Sequence, residues 1–179
     1  MDGNYVRSIG TVPVKDDRFP AQHSHAFQAK PVFRDKTQEI YLANRHCSII
    51  EKYSPDGELI STFYGPELFF PEYNIVPAGD SYTMAPNKKT RFGYLDICYS
   101  KKIDRIFLLY SGRYFFSKEG TLNPSGGNII YVLDNNDKVI EKIRLDRDIY
   151  LIKVSDDGST IFGGNETEIL KIEYKKIDR

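Results

Sequence analysis

Residues 49–63 read IIEKYSPDGELISTF, and residues 129–143 read IIYVLDNNDKVIEKI. Each opens on an apolar, β-branched run, breaks at a turn, and resumes as a second extended run. The breaks are Pro55-Asp56-Gly57 in one copy and Asn135-Asn136-Asp137 in the other. Gly, Asn and Asp tolerate the positive φ that tight hairpin turns demand, while Ile, Val, Thr and Tyr suit a pleated strand. Both stretches therefore read as β-hairpins.

Upstream of each hairpin lies a second shared element. Residues 39–44 read EIYLAN, 105–110 read RIFLLY and 160–165 read TIFGGN, an Ile-aromatic core written three times. Before these come the first-strand segments Phe27 to Phe33, Tyr94 to Tyr99 and Tyr150 to Ser155, followed by turns such as Ser155-Asp156-Asp157-Gly158. The order is strand, turn, strand, strand, turn, strand. Ile40, Ile106 and Ile161 mark the period at spacings of 66 and 55 residues, with an insertion from Ser111 to Asn128 in the middle unit. Four short antiparallel strands per repeat is the signature of a propeller blade.

The expected fold is all-β: about three β-propeller blades of four antiparallel strands, a partial or half propeller in one domain over residues 1–179. Blade material falls at 27–65, 92–146 and 149–175, with an outer strand at 4–10. Residues 66–91 fit the scheme poorly. An extra strand pair, Asn74 to Val76 and Ser81 to Met84, suggests itself around Pro77-Ala78-Gly79-Asp80. No segment carries a sustained helical period with caps, so helix is expected to amount to a turn or two.

The two ends sharpen the expectation. Residues 2–10 align with 56–65 when one residue is skipped, which makes the chain open on a fourth strand, whereas EILKIEY at 168–174 matches a third strand with no fourth after it. Tyr5 to Ile9 is thus expected to pair with Glu168 to Tyr174, within one chain or between two. Propellers use roughly four to eight blades. Three units imply either a missing N-terminal half or a homodimer that closes the ring by strand exchange.

Composition agrees with a β-rich fold: 13 Tyr and 11 Phe with no Trp, 40% hydrophobic and 28% charged residues. Lys plus Arg equals Asp plus Glu at 25 each. The strong positive field used by non-specific nucleic-acid binders is lacking, so nucleic acid is not an expected partner. No apolar run approaches membrane-spanning length, and the N-terminus has neither the basic nor the apolar part of a secretory signal. Cys47 and Cys98 lie in apolar, strand-like segments and read as buried free thiols rather than a disulfide.

Three stretches carry the resemblance to a known family. YLDICYSKKIDRIFLLYSG (94–112), NIIYVLDNNDKVIEKIRLDRDIYLIKVSDDGSTIFGG (128–164) and the closing EILKIEY resemble the C-terminal half of the TolB-like six-bladed β-propeller proteins of Bacteroides-type bacteria. NYVRSIG at 4–10 resembles the fourth strand of an earlier blade. The resemblance spans about residues 4–175 and implies a periplasmic protein or envelope lipoprotein in full-length form. Its motifs are structural and carry no catalytic signature.

Chemistry-bearing residues are sparse. His23-Ser24-His25 puts two imidazoles on one side of an extended segment, a weak metal-ligand pair against the plainer reading of a solvated loop. Asp16-Asp17 and Asp134-Asn135-Asn136-Asp137 resemble fragments of calcium loops, but the second already serves as a hairpin turn and lacks the closing glutamate. Cys47 comes directly after His46, and neighbouring strand residues face opposite ways, which separates thiol from base. No cofactor is implied.

The most suggestive surface feature is aromatic: Tyr64, Phe69, Phe70, Tyr73 and Tyr82 in the irregular middle region, and Arg113 with Tyr114 at the insertion. Aromatics and cations on loops of a rigid scaffold are typical binding material, although blade packing also needs large rings. The leading expectation is a non-enzymatic binding or scaffold module of the cell envelope for peptide, protein or carbohydrate. The alternatives are a hydrolase- or lyase-type enzyme with its site at the propeller axis, and a truncated half-propeller without independent activity.

Overall fold

In a computed structural model, residues 5, 8–12 and 18–174 are described. Among the described residues a two-turn helix, α1 (Pro20–Ala26), precedes thirteen strands. The first sheet holds β1 (Ala29–Arg34), β2 (Glu39–Asn44), β3 (Ile49–Tyr53) and β4 (Leu59–Tyr64) in sequence order. A separate hairpin comes next, β5 (Tyr73–Ala78) with β6 (Ser81–Pro86). The second sheet holds β7 (Tyr94–Ser100), β8 (Arg105–Tyr110), β9 (Gly127–Leu133) and β10 (Val139–Ile149). The third holds β11 (Leu151–Val154), β12 (Thr160–Gly164) and β13 (Ile169–Glu173).

All pairings are antiparallel. The inner strand β7 touches both β1 and β11, so the sheets stand side by side as blades of an arc that is open and not closed. The turns obey one rule. Gln38 and Asp104, just before β2 and β8, and Asp137, before β10, take φ of 59°, 52° and 61°, and Gly57 and Gly158 take 75° and 73° at the corresponding turns. Aspartate and glycine bear this conformation at little cost, and Gln38 is the exception, its side-chain amide donating to the Asp35 carbonyl at 2.7 Å.

The core divides by strand alternation. On β8, Ile106, Leu108 and Tyr110 face the first sheet, while Phe107 and Leu109 face the third. On β9, Tyr131 and Leu133 face the first sheet, and Ile130 and Val132 the third. Successive side chains point to opposite faces of a strand. A sheet covered on both faces therefore needs a continuous apolar run, which is why RIFLLY and NIIYVL do not alternate with polar residues. Sheets covered on one face keep the alternation, as in β11, where Ile152 and Val154 are buried and Leu151 and Lys153 are exposed.

Polar staples complete the interfaces at the end of the turns that come after the inner strands. Arg34, 1% exposed, binds Asp104 of the second sheet at 2.8 Å. Asp137 reaches back from the second sheet to accept from the Tyr41 hydroxyl at 2.7 Å and from Lys52 at 2.9 Å. Between the second and third sheets, the Ser100 hydroxyl donates to the carbonyls of Ser155 and Asp156.

Two expectations change. His23 and His25 lie on α1, not on an extended strand, so residues two apart point to different sides of the helix. The expected strand 4–10 falls partly outside the described residues. Of those described, Ile9 packs at Gly57 and Gly10 at Tyr53, in the β3–β4 hairpin of the first sheet and away from β13. In the described residues β13 pairs with β12 alone. Asp16-Asp17 also lies outside the described residues, whereas the expected strand pair around Gly79 forms as β5–β6.

Candidate functional site

At the end of the sheets where β1, β7 and β11 begin, the β2–β3, β8–β9 and β12–β13 connections meet. Backbone hydrogen bonds knit them. Arg45 N–H donates to the Gln28 carbonyl at 2.8 Å, Gly93 N–H to that of Arg45 at 2.6 Å, and Tyr150 N–H to that of Gly164 at 2.7 Å. Gly93 is required here by space: a Cβ would stand 1.8 Å from the Cys47 carbonyl oxygen and 2.9 Å from that of Asn44. The close approach draws the first two sheets together.

This weave frames a cleft of about 130 Å³ lined by Arg45, Leu95, Ser125, Tyr150 and Glu166. The lining comes from all three sheets. Arg45 lies just after β2, Leu95 is buried on β7, Ser125 precedes β9, Tyr150 precedes β11 and Glu166 lies just after β12. Among the described residues neither the Arg45 guanidinium nor the Glu166 carboxylate forms an ion pair. The neighbouring charges are spent: Arg113 grips Asp148 with both ends of its fork, Nη2 to Oδ1 at 2.6 Å, and Arg147 binds Glu168 at 3.0 Å. Asp96, on β7, accepts from the Ile152 N–H at 2.8 Å and ties β7 to β11.

Beside the cleft, burial and the adjacent Arg45 push the His46 imidazole down to about 4, which keeps it neutral. Among the described residues its Nδ1 is buried without a partner. Both cysteines are free and buried, and burial raises the thiols of Cys47 and Cys98 to about 11 and about 12. Cys47 sits in the bend between β2 and β3 rather than in a strand. Among the described residues no group of His, Cys, Asp or Glu is placed to hold a metal ion.

The aromatic residues singled out from sequence are distributed over three places. Phe69 and Tyr114 come together around Arg91, whose guanidinium lies 4.3 Å from the Phe69 ring centre and 5.2 Å from that of Tyr114. Arg91 also binds Glu67 and donates to the Gly112 carbonyl at 2.9 Å, so this stack ties residues 67–70 to the insertion. Tyr73 and Tyr82 belong to the β5–β6 hairpin. Tyr73 is hydrogen-bonded to His23 of α1, and the Tyr82 ring packs 4.9 Å from Phe19. Tyr64 lines a second, mostly apolar cleft of about 200 Å³ between the first two sheets, with Phe63, Tyr94, Tyr131 and Val139. Phe70 stands exposed.

Residues 1–157 match the TolB-like 6-blade propeller-like family. The chain belongs to that family. Among solved structures, this TolB-like chain is similar to the WD40 domain of Pan2 from Neurospora crassa at 11% identity and a TM-score of 0.33. The match covers 78% of this chain and 44% of that domain, so the chain spans less than half of its length. No curated protein matches.

In this TolB-like chain the cleft residues Arg45, Ser125, Tyr150 and Glu166 do not stand out in the sequence, although a signal exists. EIYLAN continues into Arg45, and TIFGGN continues into Glu166. The two residues hold the same place after the repeated strand and carry opposite charge. Aligning the positions immediately past each Ile-aromatic strand pairs them.

Proposed function

We propose that this TolB-like chain is a non-enzymatic binding module for a peptide, protein or carbohydrate ligand, with its ligand seat in the three-sheet cleft between Arg45 and Glu166. The observation that carries the reading is the unpaired Arg45 guanidinium at a cleft lined by three sheets. A rigid β scaffold that presents unspent charge, a hydroxyl and an aromatic ring from converging loops is suited to recognition. The exposed rings of Tyr64, Phe70, Tyr82 and Tyr114 belong to the reading as outlying contact surface.

The narrower kinship with Bacteroides-type members, and the envelope location that goes with it, are part of the same proposal. So is completion of the ring, by a second copy exchanging strands or by an N-terminal half. The hydrolase or lyase alternative has no observation in its favour, because His46 is buried and neutral beside a cleft without a nucleophile–base pair among the described residues. Peptide and glycan arrays probed with the wild-type chain and with Arg45→Glu test the reading. Ligands retained by the wild type and lost by the variant support it; empty arrays together with no small-molecule ligand at the same cleft sink it.

A further inference from the structure

From the composition of the cleft we infer that its ligand is a small zwitterion of the α-amino-acid class, its carboxylate held by Arg45 and its ammonium by Glu166. The inference rests on the binding-module reading and specifies the chemistry that the seat accepts.

Charge decides the class. The cleft presents one cation and one anion, each without an internal partner among the described residues, while the nearby Arg113–Asp148 and Arg147–Glu168 pairs are closed. A purely anionic ligand would satisfy Arg45 and be repelled by Glu166, and a purely cationic one the reverse. A neutral sugar would answer neither charge, the Glu166 carboxylate being exposed and Arg45 half-buried. A ligand carrying both signs answers both groups, and the small volume of the cleft keeps those signs close together. Guanidinium binds carboxylate through two parallel N–H donors, and a carboxylate accepts readily from an ammonium.

Size narrows it further. An apolar cavity of about 150 Å³ holds a benzene-sized molecule, so a cleft of about 130 Å³ suits an amino acid with a small side chain rather than a folded peptide. The remaining lining fits the rest of such a molecule. Leu95, 5% exposed, and the Tyr150 ring offer apolar contact to a short side chain, and the Ser125 hydroxyl offers one further polar contact.

The placement has a structural logic as well. Arg45 and Glu166 stand at equivalent repeat positions in sheets on either side of the second. A ligand bridging them would contact the first and third sheets at once and draw the arc together across β7.

The test is an NMR titration of the isotopically labelled full chain with L-alanine, L-alaninamide and N-acetyl-L-alanine. L-alanine is expected to shift the amides of Arg45, Leu95, Tyr150 and Glu166 saturably. The amide lacks the carboxylate and the acetyl form the ammonium, and each is expected to bind about tenfold more weakly, the loss of one charge-assisted hydrogen-bonded contact. Arg45→Gln should abolish the preference for L-alanine over its amide and leave that over the acetyl form, and Glu166→Gln should do the converse. Thermal melting of both variants checks that they fold.

Equal binding of all three compounds, or shifts confined to residues outside the cleft, overturns the zwitterion inference. If alanine causes no shift while the arrays yield an Arg45-dependent ligand, this inference fails and the binding module stands. If neither produces a ligand, both fall.

Discussion

His46 shows how position within a repeat sets the chemistry of a side chain. It occupies the bend after β2, 9% exposed, with its ring 6.1 Å from that of Phe92, and burial reinforced by Arg45 lowers its pKa from 6.5 to about 4. In the unfolded chain the imidazole regains its ordinary value, so in acid the unfolded state takes up a proton that the folded state refuses. The neutral His46 therefore leaves stability intact above about pH 6.5 and costs stability progressively as the pH falls toward 4. Urea melts across that window should show a loss on the order of 2–3 kcal/mol that His46→Gln removes. A variant with the same pH slope as the wild type would refute the assignment. Asp104 acts in the same direction at lower pH, because its hydrogen bond to Arg34 holds its carboxyl below the usual range and that contribution is lost only as the carboxylate protonates. Neither effect is legible in sequence: His46-Cys47-Ser48 reads as part of a strand-like run until the fold places it in a covered bend between β2 and β3.

Among the elements, the strands are the most legible and the connections the least. EIYLAN and RIFLLY form β2 and β8 over the same residues that the repeat marks, and TIFGGN forms β12 one residue shorter. Alternation and turn chemistry are local, so a single sequence carries them. Helix α1 escapes notice because seven residues hold too little period to register, and its place is fixed from outside, by Tyr73 on His23 and by the Gln22 side chain on the Tyr82 carbonyl. Two glycines separate the demands of space from those of backbone conformation. Gly93 has no room for a Cβ against backbone carbonyls that cannot swing away, whereas Gly79 meets nothing within 4 Å and needs only its φ of 61° in the β5–β6 turn. Gly93→Ala is expected to cost about 3 kcal/mol or more by forcing the first and second sheets apart, and Gly79→Ala about 1 kcal/mol. Chemical denaturation of the two variants checks the order. Comparable losses would show that the Gly93 contact relaxes cheaply.

At the scale of the whole molecule, the sheets are joined by apolar alternation inside and by polar staples at one end, with Arg34, Asp104 and Asp137 closing the first junction. The arc is open, and we propose that further protein completes the ring. Light scattering of the 20.6 kDa chain across concentrations tests the form in which a second copy supplies it. A mass rising toward twice that value supports the exchange, and a constant monomer rules it out. The sequence by itself determined the all-β class, the hairpins, the blade period and the apolar runs of the sandwiched sheet, because each is set by neighbours a few residues apart. Tertiary structure alone decided that Arg91 lies between Phe69 and Tyr114, that Arg113 is spent on Asp148, and that Arg45, Ser125, Tyr150 and Glu166 share one cleft. Those groups come from connections far apart in the chain, and their meeting depends on how three sheets pack, a quantity that no local pattern of residues encodes.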